Sequence, residues 1–166
     1  MLSTIIIILS VLLVYGAVMW VKPSARDKRL AALRAQAMAD GFRVRSCLIQ
    51  DLSIEGRLQN KTRAVFSYRS YQKGTLEHSL QILRTTGESG IYLPQSWTWG
   101  TSRRLNEADS LKLSQQLLQL PNSIIGLELA PEYIGLIWDE RNSDEYPIVK
   151  RFLQVGIPYQ ASIIYR

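Results

Sequence analysis

Apolar positions are arranged differently in the two parts of this chain. From Leu2 to Val21 there is no charged side chain, and residues 5–9 are all aliphatic. At about 1.5 Å rise per residue, a helix of this length spans roughly 30 Å, the thickness of a bilayer's hydrocarbon core. The run has no basic segment before it and no small-x-small site after it, as a cleaved signal peptide would have. The pattern therefore predicts a transmembrane helix over residues 2–21.

A second helix is predicted just after Pro23. Ser24 can cap its first turn, and Asp27 has the position of the acidic partner in a capping box. Apolar residues then recur at helical spacing as far as Ala37, with arginines at several other positions, and Gly41 is a typical helix end. We predict a basic juxtamembrane helix over residues 24–41.

The remaining residues, 42–166, form shorter periodic stretches. Branched and alternating residues predict strands over 42–50, 62–71, 76–85, 91–99, 124–129, 133–138 and 159–165. Pro94 interrupts the strand over 91–99. Helices are predicted after the capping residues Asn106 and Ser143, and they end at Pro121 and Gly156. Strands outnumber helices, so the fold class is α+β with a mixed or antiparallel sheet. In residues 91–166 the order of elements is that of a ferredoxin-like split βαβ unit.

The net charge of +6 is concentrated in one segment. Seven basic and two acidic residues lie between Lys22 and Arg45, which leaves the rest of the chain nearly neutral. Basic residues beside a membrane span stay on the cytoplasmic side. We therefore predict a single-pass protein of the bacterial inner membrane, with its N-terminus outside and residues 42–166 in the cytoplasm. The predicted contacts with the lipid bilayer surface are Trp20, Lys22, Arg26, Lys28 and Arg29.

Residues for catalysis or metal binding are scarce. The chain has one cysteine, Cys47, and one histidine, His78, too few for an internal disulfide or a four-ligand zinc site. We find no phosphate-binding loop, dinucleotide glycine pattern, catalytic triad or paired catalytic carboxylates. The sequence therefore predicts no catalytic, cofactor-binding or metal-binding residues and favours a protein that is not an enzyme.

Two tryptophans and two arginines form the candidate interaction surface, which consists of Trp97, Trp99, Arg103 and Arg104. Alternation along a strand places both rings on one side, and nucleobases can stack on such rings beside arginines. The plainer account, which we favour, is that the two rings fill a core or rest against the membrane surface. No other basic and aromatic cluster accompanies them, so nucleic acid is not an expected partner.

The membrane-proximal third resembles the YajC family, small accessory subunits of the bacterial Sec preprotein translocase. The resemblance covers about residues 5–45 and rests on the spacing of Lys22-Pro23, Arg26, Ala39, Gly41 and Val44. It implies an association with the translocase. The glycine-rich turn that follows the helix in that family is missing here. The predicted order of one span and a cytoplasmic split-βαβ domain is also similar to ZipA-type division proteins.

Three hypotheses follow from these observations. The first is an accessory protein whose domain docks on a larger membrane-protein complex. The second is a tethered ligand-sensing or enzymatic domain of ferredoxin-like fold, and the third is a tethered nucleic-acid-binding domain. The missing chemistry favours the first.

Overall fold

The computed structural model describes residues 2–21, 23–59, 61–71, 76, 78–155 and 163–164. The chain forms two compact units, Met1–Leu33 and Arg34–Arg166. The first contains helix α1 (Leu2–Val21) and the start of helix α2 (Ala25–Ala39). The predicted capping box is confirmed, because the Asp27 N–H donates to Ser24 Oγ at 3.1 Å and the Ser24 N–H donates to Asp27 Oδ2 at 3.1 Å.

The structure corrects the prediction of a transmembrane helix over residues 2–21. A helix does form there, but among the described residues none is long and apolar enough to cross a membrane. The predicted single-pass topology, outside N-terminus, cytoplasmic domain and inner-membrane location depended on that span, and they are withdrawn with it.

The second unit is built on an antiparallel sheet of six strands in the order β1-β2-β7-β6-β3-β4. Its strands are β1 (Arg43–Gln50), β2 (Thr62–Tyr71), β3 (Leu80–Arg84), β4 (Trp97–Trp99), β6 (Ile124–Leu129) and β7 (Tyr133–Trp138). A separate pair joins β5 (Arg104–Leu105) to β8 (Ile163–Ile164). The helices are α3 (Ile54–Leu58), α4 (Glu107–Leu117) and α5 (Tyr146–Val155), with a 3-10 turn over Ser143–Glu145 before α5. The α+β class is therefore the observed one.

The predicted ferredoxin-like unit in residues 91–166 is wrong. That unit would bring its four strands together in one sheet, whereas here β8 pairs with β5 outside the main sheet and β4 lies next to β3. The strand predicted over 91–99 is reduced to three residues, because the backbone turns at Tyr92 and Ser96, which have φ angles of 61° and 69°. A strand interrupted by such residues cannot pair along its length.

Helix positions inside the sheet unit follow from local signals. Asn106 caps α4 as predicted, since its Oδ1 accepts from the Asp109 N–H at 2.8 Å. The cap predicted at Ser143 lies one residue off: Asn142 caps the 3-10 turn. Both helices bury an apolar stripe. Its fully buried members are Leu113 and Leu117 on α4 and Val149 and Leu153 on α5.

Candidate functional site

Alternation along the strands gives the sheet two chemically different faces. One contains Tyr68, Leu127 and Leu136, each fully buried, and Phe66 on the same face lies under Arg34 of α2. The opposite face, which we call the helix-free face, carries the side chains of Arg43, Arg45, Cys47, Ile49, Val65, Ser67, Arg69, Tyr71, Leu83, Glu128, Tyr133 and Ile137. Its apolar cluster contains no helical residue among those that the structure describes.

A buried carboxylate lies near the centre of the helix-free face. Glu128 is 9% exposed, and its Oε2 accepts from Ser67 Oγ at 2.6 Å and from Arg69 Nε at 3.1 Å. Arg69 Nη2 also lies 3.0 Å from this oxygen. A buried charge is tolerated only when it is paired and hydrogen bonded in this way. The network therefore fixes Arg69 in one place on the face.

A glycine makes room for this network. A Cβ atom on Gly135 would lie 2.9 Å from Glu128 Oε2 and 3.0 Å from Ser67 Oγ. A side chain at this position would force the Glu128 carboxylate or the Ser67 hydroxyl to shift, so the glycine at 135 accommodates the close approach of Glu128.

Two arginines stack on two tyrosines at the same end of the face. The Arg69 guanidinium lies 4.4 Å from the centre of the Tyr133 ring, and that of Arg43 lies 4.6 Å from the centre of the Tyr71 ring. The two rings are 5.6 Å apart and tilted by 42°. Burial, and next the charge of Glu128, raises the pKa of the Tyr133 hydroxyl, so that this group stays protonated and neutral.

Among the described residues, positive charge exceeds negative charge at this end. Arg43, Arg45 and Arg69 face one described carboxylate, Glu128, which is already paired with Arg69. Arg43 and Arg45 are exposed, and no acidic side chain of the described residues forms an ion pair with either. We call Arg43, Arg45, Arg69, Tyr71 and Tyr133 the arginine–tyrosine patch. Its guanidinium groups can bind carboxylates, because both are planar and match in geometry.

The other end of the helix-free face is an apolar groove. Ile49, Val65, Leu83 and Ile137 form its buried cluster, and Cys47 packs against them. An open cavity of about 690 Å³ lies beside this cluster, between the end of β1 and strands β3 and β4. Burial raises the pKa of the Cys47 thiol, and Glu128 adds to that effect, so the cysteine is a poor nucleophile.

The structure separates the four residues of the predicted interaction surface. Trp97 is 2% exposed and lies 4.6 Å from the guanidinium of Arg84, so its ring cannot receive a base or a partner. Trp99 is half-buried, and its Nε1 donates to Ile91 O at 3.1 Å. Arg103 and Arg104 are half-buried near β5. The missed residues are those of the arginine–tyrosine patch.

The residues predicted to touch a membrane surface have different outcomes. Arg26, Lys28 and Arg29 are exposed on α2, whereas the side chains of Trp20 and Lys22 lie outside the described residues. Their contact with lipid stays a prediction. Among the residues that the structure describes, no group of histidine, cysteine and carboxylate side chains could hold a metal ion.

Comparison with protein-family models, with curated proteins and with solved structures finds no match to this chain. The resemblances to the YajC family and to ZipA-type proteins therefore stay predictions.

Proposed function

We propose that this chain is a non-enzymatic accessory protein whose sheet domain docks on a larger protein complex through the helix-free face. The observation that carries the proposal is the arginine–tyrosine patch, of which Arg43, Arg45 and Tyr71 are exposed. Arginine and tyrosine are enriched at protein interfaces, where they supply contact area and charged hydrogen bonds. The Glu128 network holds Arg69 and Tyr133 in place before binding, which lowers the entropy cost of association.

Helix α1 supports the same class of function. Its aliphatic side chains from Ile5 to Val14 are at least 56% exposed, and the helix is apolar on every side. Such a helix is normally buried, and large exposed apolar surfaces mark interaction sites. A protein that must cover this surface is expected to work in an assembly.

The test is affinity purification of the full chain, tagged at native level and kept in mild detergent because of α1. We expect a stoichiometric protein partner, and we expect Arg43→Glu with Arg45→Glu to reduce its recovery by about tenfold. Lys112→Glu, which reverses an exposed charge on α4, is the matched control and should keep the partner. Recovery of the chain alone, or with lipid only, would overturn the proposal.

The cavity beside the apolar groove favours a second candidate function, the sensing of a small polar ligand. Its lining is more polar than apolar and places Gln81 and Thr98 next to Leu83. A small-molecule library screened by thermal shift would give hits that Thr98→Trp abolishes, because the indole would fill the cavity. Compounds that bind Thr98→Trp as well as they bind the wild type must bind outside the cavity, and they would count against this function.

A further inference from the structure

The two edge strands of the sheet, β1 and β4, differ in whether other backbone segments cover their outward N–H and C=O groups. β4 has three residues, and a neighbouring segment covers its outer side: the Gly90 N–H donates to Trp97 O at 2.7 Å, and the Trp97 N–H donates to Pro94 O at 3.2 Å. β1 has eight residues, and no backbone bond of the described residues covers its outer side. Long exposed edges are normally blocked, because they template pairing with another chain.

The hydrogen-bond phase of β1 tells which backbone groups face outward. The Asp51 N–H donates to Lys61 O at 2.9 Å, and the register pairs β1 with β2 residue by residue up to Gln50 and Thr62. Bonded and non-bonded pairs alternate in an antiparallel ladder. The N–H and C=O groups of Val44, Ser46 and Leu48 therefore point away from β2, to the free edge.

The side chains beside this edge give it two different flanks. Leu48 is 73% exposed on the side opposite the helix-free face, where Ala64 lies across from it. Arg43 and Arg45 flank the edge on the helix-free face and belong to the arginine–tyrosine patch. An incoming strand would thus meet apolar surface on one side and uncompensated positive charge on the other.

We propose that β1 accepts an extended acidic segment of a partner protein as a seventh strand of the six-stranded sheet. This inference rests on the proposed function and names the kind of partner. Main-chain hydrogen bonds to Val44, Ser46 and Leu48 supply affinity, and alternate carboxylates pair with Arg43 and Arg45 to supply specificity.

A second copy of this chain is a poorer occupant than an acidic segment. Antiparallel pairing of β1 with its own copy, centred on Ser46, would place Arg43 opposite Ile49 and Arg45 opposite Cys47 of the other molecule, so neither arginine would gain an opposite charge. Carboxylates in those positions of an incoming strand would pair with both arginines. Charge complementarity therefore selects an acidic strand.

The first test uses the full chain in mild detergent and a capped peptide of about eight residues that alternates glutamate and valine, matched in length to β1. Amide hydrogen exchange should slow by about tenfold or more at Val44, Ser46 and Leu48 when the peptide is bound, because these three groups gain hydrogen bonds. A peptide with lysine in place of glutamate is the control and should give no protection. Equal binding of both peptides, or protection confined to other strands, would overturn the inference.

The second test uses two variants that differ only at the edge. Ser46→Pro removes an outward N–H that no other strand uses, so the sheet should stay intact while peptide affinity falls by roughly tenfold. Ser46→Ala keeps the N–H and should bind like the wild type. Unfolding curves of both variants confirm that the fold is kept, and unchanged affinity in a folded Ser46→Pro variant would overturn the inference.

The same variants separate this inference from the proposed function. If the purified partner stays bound to Ser46→Pro but is lost from Arg43→Glu with Arg45→Glu, docking on the face stands and strand addition fails. If no protein partner is recovered by the wild type, the proposed function itself fails. Concentration-dependent self-association lost in Ser46→Pro would assign the edge to a second copy and overturn the acidic partner.

Discussion

Two carboxylate–arginine networks lie on opposite faces of the same sheet and share the same chemistry. On the helix side, Glu140 accepts from Arg34 Nε at 2.9 Å and from the Tyr68 hydroxyl at 2.5 Å. On the helix-free face, Glu128 accepts from Arg69 and from the Ser67 hydroxyl. Each arginine also lies over an aromatic ring: Arg34 is 3.5 Å from the centre of Phe66, and Arg69 stacks on Tyr133.

The difference lies in what each network joins. Arg34 belongs to α2 and Glu140 follows β7, so the first network ties a helix to the sheet over 106 residues of chain. Glu128, Ser67 and Arg69 lie on β6 and β2, which β7 already holds together. The first network therefore fastens an element, whereas the second orders side chains on an uncovered surface. The same kind of carboxylate–arginine network therefore holds a helix on the sheet at one face and positions the side chains of the candidate docking site at the other.

Glu140→Gln is expected to have the largest effect on stability. The substitution removes a charge that is 5% exposed and leaves the Arg34 guanidinium without its counter-charge. Breaking a partly buried ion pair in this way should lower the free energy of unfolding by about 2–3 kcal/mol. Urea unfolding followed by tryptophan fluorescence would measure this loss of stability. Trp138 is a suitable probe because its ring lies 5.4 Å from the ring of Tyr68, whose hydroxyl donates to Glu140.

Backbone strain at the same position provides the control. Glu140 has a φ angle of 54°, in the left-handed region that favours glycine. Glu140→Gly relieves that strain but also removes the carboxylate. If Glu140→Gly is as stable as the wild type, the hydrogen bonds of the Glu140 carboxylate only offset the cost of the left-handed backbone at this residue. The proposed role of the network in fastening α2 to the sheet would then be wrong.

Glu128→Gln should destabilise the chain less than Glu140→Gln does. The glutamine can still accept from Ser67, and the strands that carry the network stay joined by the backbone ladder. We expect a loss of about 1 kcal/mol in urea unfolding together with freer motion of the Arg69 side chain, which NMR relaxation of its Nε–H would report. A loss as large as that of Glu140→Gln would erase the distinction between the two faces.

Two of the three predicted helix caps and most strands were predictable because their signals are local. Ser24 with Asp27, and Asn106 with Asp109, act within one helical turn. The pairing of β8 with β5 was not predictable, since strand order depends on contacts far apart in the chain. The strand over 91–99 was overestimated because the left-handed backbone at Tyr92 and Ser96 has no signal in those residue types.

The candidate site was harder to predict than the fold. Alternation in β2 places Ser67, Arg69 and Tyr71 on one side, and this pattern is visible in the sequence. What the sequence does not show is that Glu128 and Tyr133, about 60 residues away, share that face. Two tryptophans close together in sequence were a stronger local signal, yet Trp97 is part of the core.

Cys47 can report on the electrostatics of the helix-free face. It is the only cysteine of the chain, and burial, followed by Glu128, raises its pKa, while Arg69 lowers it. Glu128→Gln should therefore lower the thiol pKa and speed alkylation by iodoacetamide at about pH 8 by roughly two- to fivefold. The pH profile of the rate should shift to lower pH. Arg69→Gln should shift it the other way, and a profile that neither substitution moves would contradict the geometry of the face.

The smallest expected effect comes from Asp40 on the helix side. Hydrogen bonds from Lys150 at 2.8 Å and from Tyr146 at 2.7 Å lower the pKa of its carboxyl below the ordinary value of 3.8. A lowered pKa adds stability above the unfolded value, and this stability is lost as the pH falls through the folded value. Asp40→Asn should thus be slightly less stable than the wild type at neutral pH, and the stabilities of the two should converge below pH 3.8.

Glu132→Gln, at an exposed turn between β6 and β7, is the control and should show no such convergence. A difference between the wild type and Asp40→Asn that stays constant into strong acid would mean that Asp40 does not use its charge to hold α5, and that Glu140 alone supplies the charged fastening on this face.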